Sequence, residues 1–193
     1  MPPKVIYNKE RIIDSSLKIV KEKGIKQLSA REVARELISS TRPVYENFQS
    51  MHELKKEVLR KIVNLLYDYV TTQYTKHPFL NTGVGYALFA RDHKEYFKAI
   101  FLEGNDAGEI IDELLKKLDK EIFNVPELRI LSPAERKDLI NKCWFYTHGF
   151  AVMIFSGYLK NNHNKNIIKI IAEAGPIFIE DALRKHRKGN QTE

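Results

Sequence analysis

Ser29-Ala30-Arg31-Glu32-Val33-Ala34, followed shortly by Ser40-Thr41-Arg42-Pro43-Val44-Tyr45-Glu46-Asn47-Phe48, is the stretch on which the reading of this chain turns. A serine with a glutamate three residues on is a capping box. The Ser29 hydroxyl accepts from the backbone N–H of Glu32, and the Glu32 carboxylate reaches back to the N–H of Ser29. The spacing predicts a short helix with Val33, Ala34 and Leu37 inward. A second short helix is predicted from about Ser40, with Ser40 as N-cap and Pro43 in the first turn, where a missing N–H costs little. Val44 and Phe48 lie four apart and share its buried face. Two short helices joined by about three residues, braced before and after by longer ones, make a helix-turn-helix.

The brace before it carries Ile12, Ile13, Ser16, Leu17 and Val20 at spacings of three and four, and stops at Gly24. The brace after it is predicted from Met51 to Lys76, with Leu54, Val58, Ile62, Leu65, Leu66 and Tyr69 inward and His77-Pro78 as its stop. Residues 9–54 thus read as a headpiece of the kind whose second helix enters a DNA major groove, the helix starting at Thr41 doing the reading. Among Ser40, Thr41, Arg42 and Pro43, only Arg42 can make a bidentate contact to guanine O6 and N7. Helix N-termini at Ser29 and Met51 are natural phosphate sites, with Arg31, Tyr45, Lys55 and Lys56 as side-chain donors.

Charge agrees with this placement. The 193-residue chain has a formal net charge of +7. Residues 1–60 hold 13 Lys+Arg against 8 Asp+Glu, while residues 61–193 hold 19 against 17. A basic end on a near-neutral body is the footprint of a module that meets a polyanion. Composition is that of a folded globular protein, with 43% hydrophobic and 30% charged residues. No apolar stretch is long enough to span a membrane. Met1-Pro2-Pro3-Lys4 has no apolar signal-peptide core, and the single cysteine, Cys143, has no intramolecular disulfide partner. These features predict a cytoplasmic protein.

The headpiece resembles the DNA-binding domain of tetracycline-repressor (TetR) family transcription regulators. The resemblance rests on Ile12-Ile13-Asp14-Ser15-Ser16-Leu17-Lys18-Ile19-Val20 before Gly24, on Ser29 to Ala34, on Val44-Tyr45-Glu46-Asn47-Phe48, and on Ser50-Met51-His52-Glu53-Leu54. It implies an all-α protein, with residues 1–50 as the DNA-binding domain and residues 51–193 as an effector-binding and dimerisation domain. It also implies DNA contacts by Ser29, Arg31, Ser40, Thr41, Arg42, Pro43, Tyr45 and Lys55. The chain departs from the family pattern twice. The turn between the short helices has Ile38 where glycine is usual, so either the position avoids a positive φ or it tolerates strain. Met51 replaces the lysine usual at the start of the fourth helix, a loss that Lys55 or Lys56 makes good one turn on.

Beyond residue 78 the pattern stays helical. Gly83 and Gly85 weaken a helix carrying Tyr86, Leu88 and Phe89. A short helix holds Tyr96, Phe97, Ile100 and Phe101, and Gly104-Asn105-Asp106 breaks it. Residues from Ile110 to Phe123 are amphipathic. Ser132-Pro133-Ala134-Glu135 is a second capping box with proline at the first helical position. It opens a helix whose second half, Cys143 to Leu159, is apolar nearly all the way round. After a turn at Asn161 to Asn164, the last helix carries Ile167, Ile170, Ile171, Ala174, Phe178, Ala182 and Leu183. Gly175-Pro176 is expected to kink or break it.

A helix apolar on every side is buried on every side, and a partner subunit is the economical cover. The resemblance implies the same arrangement, a homodimer through the last two helices. It further implies a pocket for a mostly apolar or aromatic small-molecule effector, for which Tyr86, Phe89, Phe97, Phe101, Trp144, Thr147 and His148 are the candidate lining. No cofactor is implied. Cys143 and His148 are five apart and point to different faces, which disfavours a metal pair. The chain has no P-loop, GxSxG or HExxH pattern, so catalysis is not expected. Three functions follow in order: an effector-released transcription repressor on a palindromic operator, a DNA-binding regulator without an effector, and a helical enzyme or carrier.

Overall fold

The structure, a computed structural model, describes residues 7–103, 107–122 and 125–189. Among these residues the chain is all-helical, as its periodicity requires. The breaking triplet Gly104-Asn105-Asp106, together with Phe123, lies outside the described residues. The chain divides into two compact units, residues 1–65 with 93–112 and residues 66–92 with 113–193. No helix among the described residues is long and apolar enough to cross a membrane.

The first unit starts with helix α1 (Lys9–Lys23), capped by the Asn8 side chain, which accepts from the Arg11 N–H at 3.0 Å. α1 ends at Gly24, whose φ of +83° is a conformation that side chains with a Cβ resist. A 3₁₀ turn (Ile25–Gln27) leads into α2 (Ala30–Glu36), and a tight turn into α3 (Arg42–Asn47). α4 (Met51–Thr71) contributes residues 51–65 to this unit, and α6 (Lys94–Phe101) packs on α1. Ile12, Val20, Val33, Val44, Phe48, Leu54, Val58 and Phe97 form the core. The Tyr96 hydroxyl donates to the Leu17 carbonyl at 3.1 Å and ties α6 to α1.

Three local expectations are corrected here. Ser29 does cap α2 by accepting from the Glu32 N–H at 3.3 Å. The Glu32 carboxylate, however, is held by Lys23 at 2.7 Å and by Arg35, so side-chain ion pairs replace the return half of the capping box. The N-cap of α3 is Thr41 and not Ser40; the Ser40 hydroxyl accepts from the Arg42 N–H at 3.4 Å. α4 stops at Thr71, well before Lys76 and His77-Pro78. Its terminal hydroxyls turn back on the helix, Thr71 donating to the Tyr67 carbonyl and Thr72 to that of Asp68.

The second unit packs α5 (Pro78–Asp92) against α8 (Pro133–Phe155) and α9 (Asn164–Gly189), and also holds most of α7 (Gly108–Ile122) and a 3₁₀ turn (Pro126–Leu128). Pro78 therefore opens a helix, with its ring in the first turn. Gly83 and Gly85 do not weaken α5; they let other elements approach it. A Cβ on Gly85 would sit on the carbonyl oxygen of Tyr69, and one on Gly83 would lie 3.2 Å from Ile171. Gly175 does the same for α9, where a Cβ would collide with Leu80. α9 runs through Pro176 without a break. Pro176 is exposed, so water can take the carbonyl that its missing N–H leaves over. The capping box at Ser132 and Glu135 is complete, with both bonds present.

Candidate functional site

The headpiece presents α3 by burying one side of it. Val44 and Phe48 are in the core, Thr41, Pro43 and Asn47 are half-buried, and Arg42, Tyr45 and Glu46 face out. That division follows from helical spacing: with 44 and 48 inward, positions 42, 45 and 46 share the opposite side. Tyr45 is 57% exposed and serves no core function. The Arg42 Nε donates to Glu46 Oε1 at 2.7 Å, one turn along the same face. Glu46 was not singled out by the sequence pattern, although its i,i+4 spacing from Arg42 is the signal that could have found it.

α3 is held from behind by polar contacts. The Asn47 amide donates to the carbonyls of Pro43 and Tyr7, both at 2.9 Å. The Tyr7 hydroxyl donates to the Leu37 carbonyl at 3.3 Å, and the Arg11 guanidinium lies over the Tyr7 ring. Tyr7, just before α1, is thus fastened to both short helices.

The turn between them resolves the choice left open at Ile38. This residue has a φ of +52° and is 93% exposed. The Ile38 N–H bonds to the Arg35 carbonyl at 3.2 Å and the Ser39 N–H to that of Ala34 at 2.9 Å. This is the Schellman pattern, which places its C′ residue in the left-handed region. A β-branched residue occupies a glycine position, and strain is tolerated.

Among the expected phosphate donors, Arg31 is exposed in the first turn of α2, Lys55 is half-buried on α4, and neither makes an ion pair among the described residues. Lys56 is paired with Glu109 at 3.0 Å. The start of α4 is occupied by the chain's own groups. Ser50 Oγ accepts from the Glu53 N–H at 3.2 Å, and the Glu53 carboxylate accepts from the Gln49 N–H at 2.6 Å.

The effector-lining candidates fall into two sets. Phe97 and Phe101 belong to the first unit, where their rings meet at a tilt with centroids 5.1 Å apart. Tyr86, Phe89, Trp144, Thr147 and His148 belong to the second. Three of these converge: the Tyr86 hydroxyl lies 2.7 Å from His148 Nδ1, and the Trp144 indole N–H donates to the same hydroxyl at 3.4 Å. The direction of the Tyr86–His148 bond follows the imidazole tautomer, and a neutral imidazole lets Nδ1 accept from the hydroxyl. Burial favours this state by lowering the His148 pKa and raising that of Tyr86. Thr147 lines a narrow cleft of about 30 Å³ with Gly83, Cys143 and Ile171. A cavity of about 200 Å³ lies between the start of α5, the 3₁₀ turn at Pro126 and Pro176 to Glu180. Burial pushes the Cys143 thiol up to about 12, which makes it a poor nucleophile. No group of three metal-ligating side chains occurs among the described residues.

Buried Asn81 accepts through Oδ1 from the N–H groups of Tyr74 and Thr75 and from the Thr75 hydroxyl, at 2.7–3.2 Å, and donates to the Thr75 carbonyl at 3.2 Å. It satisfies the loop that follows α4.

The outer faces of α8 and α9 carry Phe145 (68% exposed), Tyr146, Met153 and Ile177 (66% exposed). Phe145, Gly149 and Met153 repeat every four residues along one exposed side of α8.

No family model and no curated protein sequence matches the chain. Among solved structures, the crystal structure of a TetR-family transcriptional regulator from Streptomyces coelicolor matches with a TM-score of 0.68 over 93% of this chain and 88% of that one, at 13% sequence identity. The likeness is one of fold, and the chain has the fold of that regulator.

Proposed function

We propose that this chain is a sequence-specific DNA-binding transcription regulator of the TetR type, acting as a homodimer. The observation that carries the reading is the outward face of α3, which sets Arg42 and Tyr45 in solvent while Val44 and Phe48 hold the helix in the core. A guanidinium so presented suits bidentate readout of guanine in a major groove. Ser29, Arg31, Ser40, Thr41, Pro43 and Lys55 then act as backbone and groove contacts, with residues 1–50 as the DNA-binding domain and 51–193 as the dimerisation and effector-binding domain. One half-site offers too few contacts for specificity, so two copies bind a palindromic operator. The exposed Phe145, Tyr146, Met153 and Ile177 on the last two helices support pairing there.

The test is a mobility shift with genomic fragments across a salt series. The wild type is expected to form a sequence-specific complex that Arg42→Ala abolishes with the fold intact. Failure of the wild type to select any fragment at low salt sinks the reading.

We propose repression relieved by a mostly apolar or aromatic effector, with the Tyr86–Trp144–His148 cluster as its polar anchor. Such control needs only that the effector bind one conformation better by ~1–3 kcal/mol. A second reading, a regulator with no effector, is favoured by one observation: Phe89 has no exposed surface and Tyr86 very little, so both are already packed. Thermal stabilisation by members of a metabolite panel separates the two.

A further inference from the structure

The outward face of α3 carries a carboxylate where a polyanion has to sit. Arg42 and Glu46 are 83% and 55% exposed at their side chains and joined at 2.7 Å. A solvated i,i+4 pair of this kind stabilises a helix by only ~0.3–0.5 kcal/mol, so folding gives little reason for an acid at this position. In a major groove the carboxylate loses water and lies in the field of the phosphates. Arg42 offsets part of that loss, and a hydrogen-bond donor on a base edge offsets what the second carboxylate oxygen gives up.

The donors in the major groove are the amino groups of cytosine and adenine, whereas guanine and thymine present acceptors that repel a carboxylate. Adenine sets its N7 acceptor beside the amino group, facing the second carboxylate oxygen. Cytosine has no acceptor on that edge and is the better match. The ion pair also fixes Arg42. With Nε bonded to Glu46, its two terminal nitrogens remain for an end-on fork to guanine O6 and N7. Because the two side chains touch, the bases they read lie on adjacent base pairs.

Resting on the DNA-binding reading above, we propose that Glu46 is a specificity-determining residue. Paired with Arg42, it reads a cytosine on the base pair next to the guanine that Arg42 reads, and it rejects thymine and guanine there. The face of α3 then selects a G·C-containing core in each half-site, with Arg42 attracting and Glu46 discriminating.

Selection from a randomised duplex library with the full chain tests this, using wild type, Glu46→Ala, Glu46→Gln and Arg42→Ala. Wild type is expected to select guanine with a cytosine on the adjoining base pair in each half-site. Glu46→Ala should keep the motif elsewhere but lose the preference at the Glu46-read base, a discrimination of about 5- to 150-fold for a good contact. Glu46→Gln should move the preference toward adenine, whose N6 and N7 suit an amide. Glu46→Ala should also bind random DNA more tightly than wild type, since a negative charge has left the interface. An unchanged motif in both Glu46 variants overturns the proposal, as does thymine or guanine at that base in the wild-type motif. If Arg42→Ala loses the motif while the Glu46 variants keep it, the DNA-binding reading stands and only the role of Glu46 falls. If wild type selects no motif at all, that reading fails and the role of Glu46 falls with it.

Discussion

Replacing Ile38 with glycine should stabilise the headpiece. An L-residue in the left-handed region costs ~1–2 kcal/mol through contact of its Cβ with the backbone, a cost that glycine does not bear. Ile38 has a φ of +52°, and its place in the Schellman turn prevents it from leaving that region without breaking two backbone hydrogen bonds. Against this gain stands the extra unfolded-state freedom of glycine, ~0.5–1 kcal/mol. Lost burial adds nothing, because the side chain is 93% exposed. The balance is a net stabilisation of about 0.5–1 kcal/mol. In a chain of this size that raises the melting midpoint by roughly 1–4 °C. The assay is thermal or urea unfolding of Ile38→Gly, Ile38→Asn and Ile38→Ala beside wild type. Asparagine tolerates the left-handed region better than most residues and should fall between glycine and wild type. Alanine keeps the Cβ and should gain little. If Ile38→Gly is no more stable than wild type, or if alanine gains as much as glycine, the strain argument is refuted. In the second case the gain would come from removing an exposed apolar side chain.

Three other outcomes are expected. Phe145→Glu should leave the fold of one chain intact, since the ring is largely solvent-exposed, yet dissociate the proposed dimer. Losing two buried phenylalanines at ~1.5–3 kcal/mol each raises the dimer dissociation constant by roughly 10²- to 10⁴-fold, read by sedimentation; an unchanged dimer removes α8 from the interface. Gly85→Ala places a methyl group on the Tyr69 carbonyl and should destabilise the second unit by ~1–3 kcal/mol or more, whereas Gly149→Ala, with open space at its Cβ, should not; equal stability of the two variants contradicts the close approach. His148 has its pKa lowered from 6.5 by burial, so the unfolded chain binds its proton first as pH falls. Stability should therefore decline as pH drops below about 6.5, level off below the folded-state pKa, and decline less in His148→Gln; a variant with the wild-type pH profile shows that His148 does not titrate there.

What could be read from the sequence was whatever depends on neighbours in the chain. The Ser132 capping box, the glycine stop after α1, and the inward pairing of Val44 with Phe48 are all set within one turn of helix, and the structure has them. What could not be read depends on residues far away. α4 ends early, and its following loop is organised by Asn81, a side chain that no local pattern marks. Gly83, Gly85 and Gly175 look like helix breakers until Ile171, Tyr69 and Leu80 are set against them, because the ~1 kcal/mol that glycine costs a helix interior is offset by the neighbour that its missing Cβ admits. On α3 the cap moved by one residue, from Ser40 to Thr41. The outward face is set by the inward pair Val44 and Phe48 and not by the cap: Arg42, Tyr45 and Glu46 face out, while Thr41 and Pro43 are half-buried.

Most cations of the first unit already have a carboxylate: Lys9 with Glu53, Lys18 with Glu36, Lys23 and Arg35 with Glu32, Lys26 and Lys98 with Glu103, Arg42 with Glu46, Lys56 with Glu109, Arg60 with Glu57 and Lys61 with Glu10. All of these cations are at least a third exposed at the side chain, so water screens each pair and holds it weakly. Phosphates can therefore take such cations from their partners at small cost, and the carboxylates left behind return to solvent. Glu46 is the exception, because it shares the face that would enter the groove and cannot return to solvent when Arg42 binds. A carboxylate in that position lowers affinity for every sequence except the one that offers it a donor. The net positive charge then supplies attraction to any DNA, while the outward face of α3 carries one group that attracts and one that excludes.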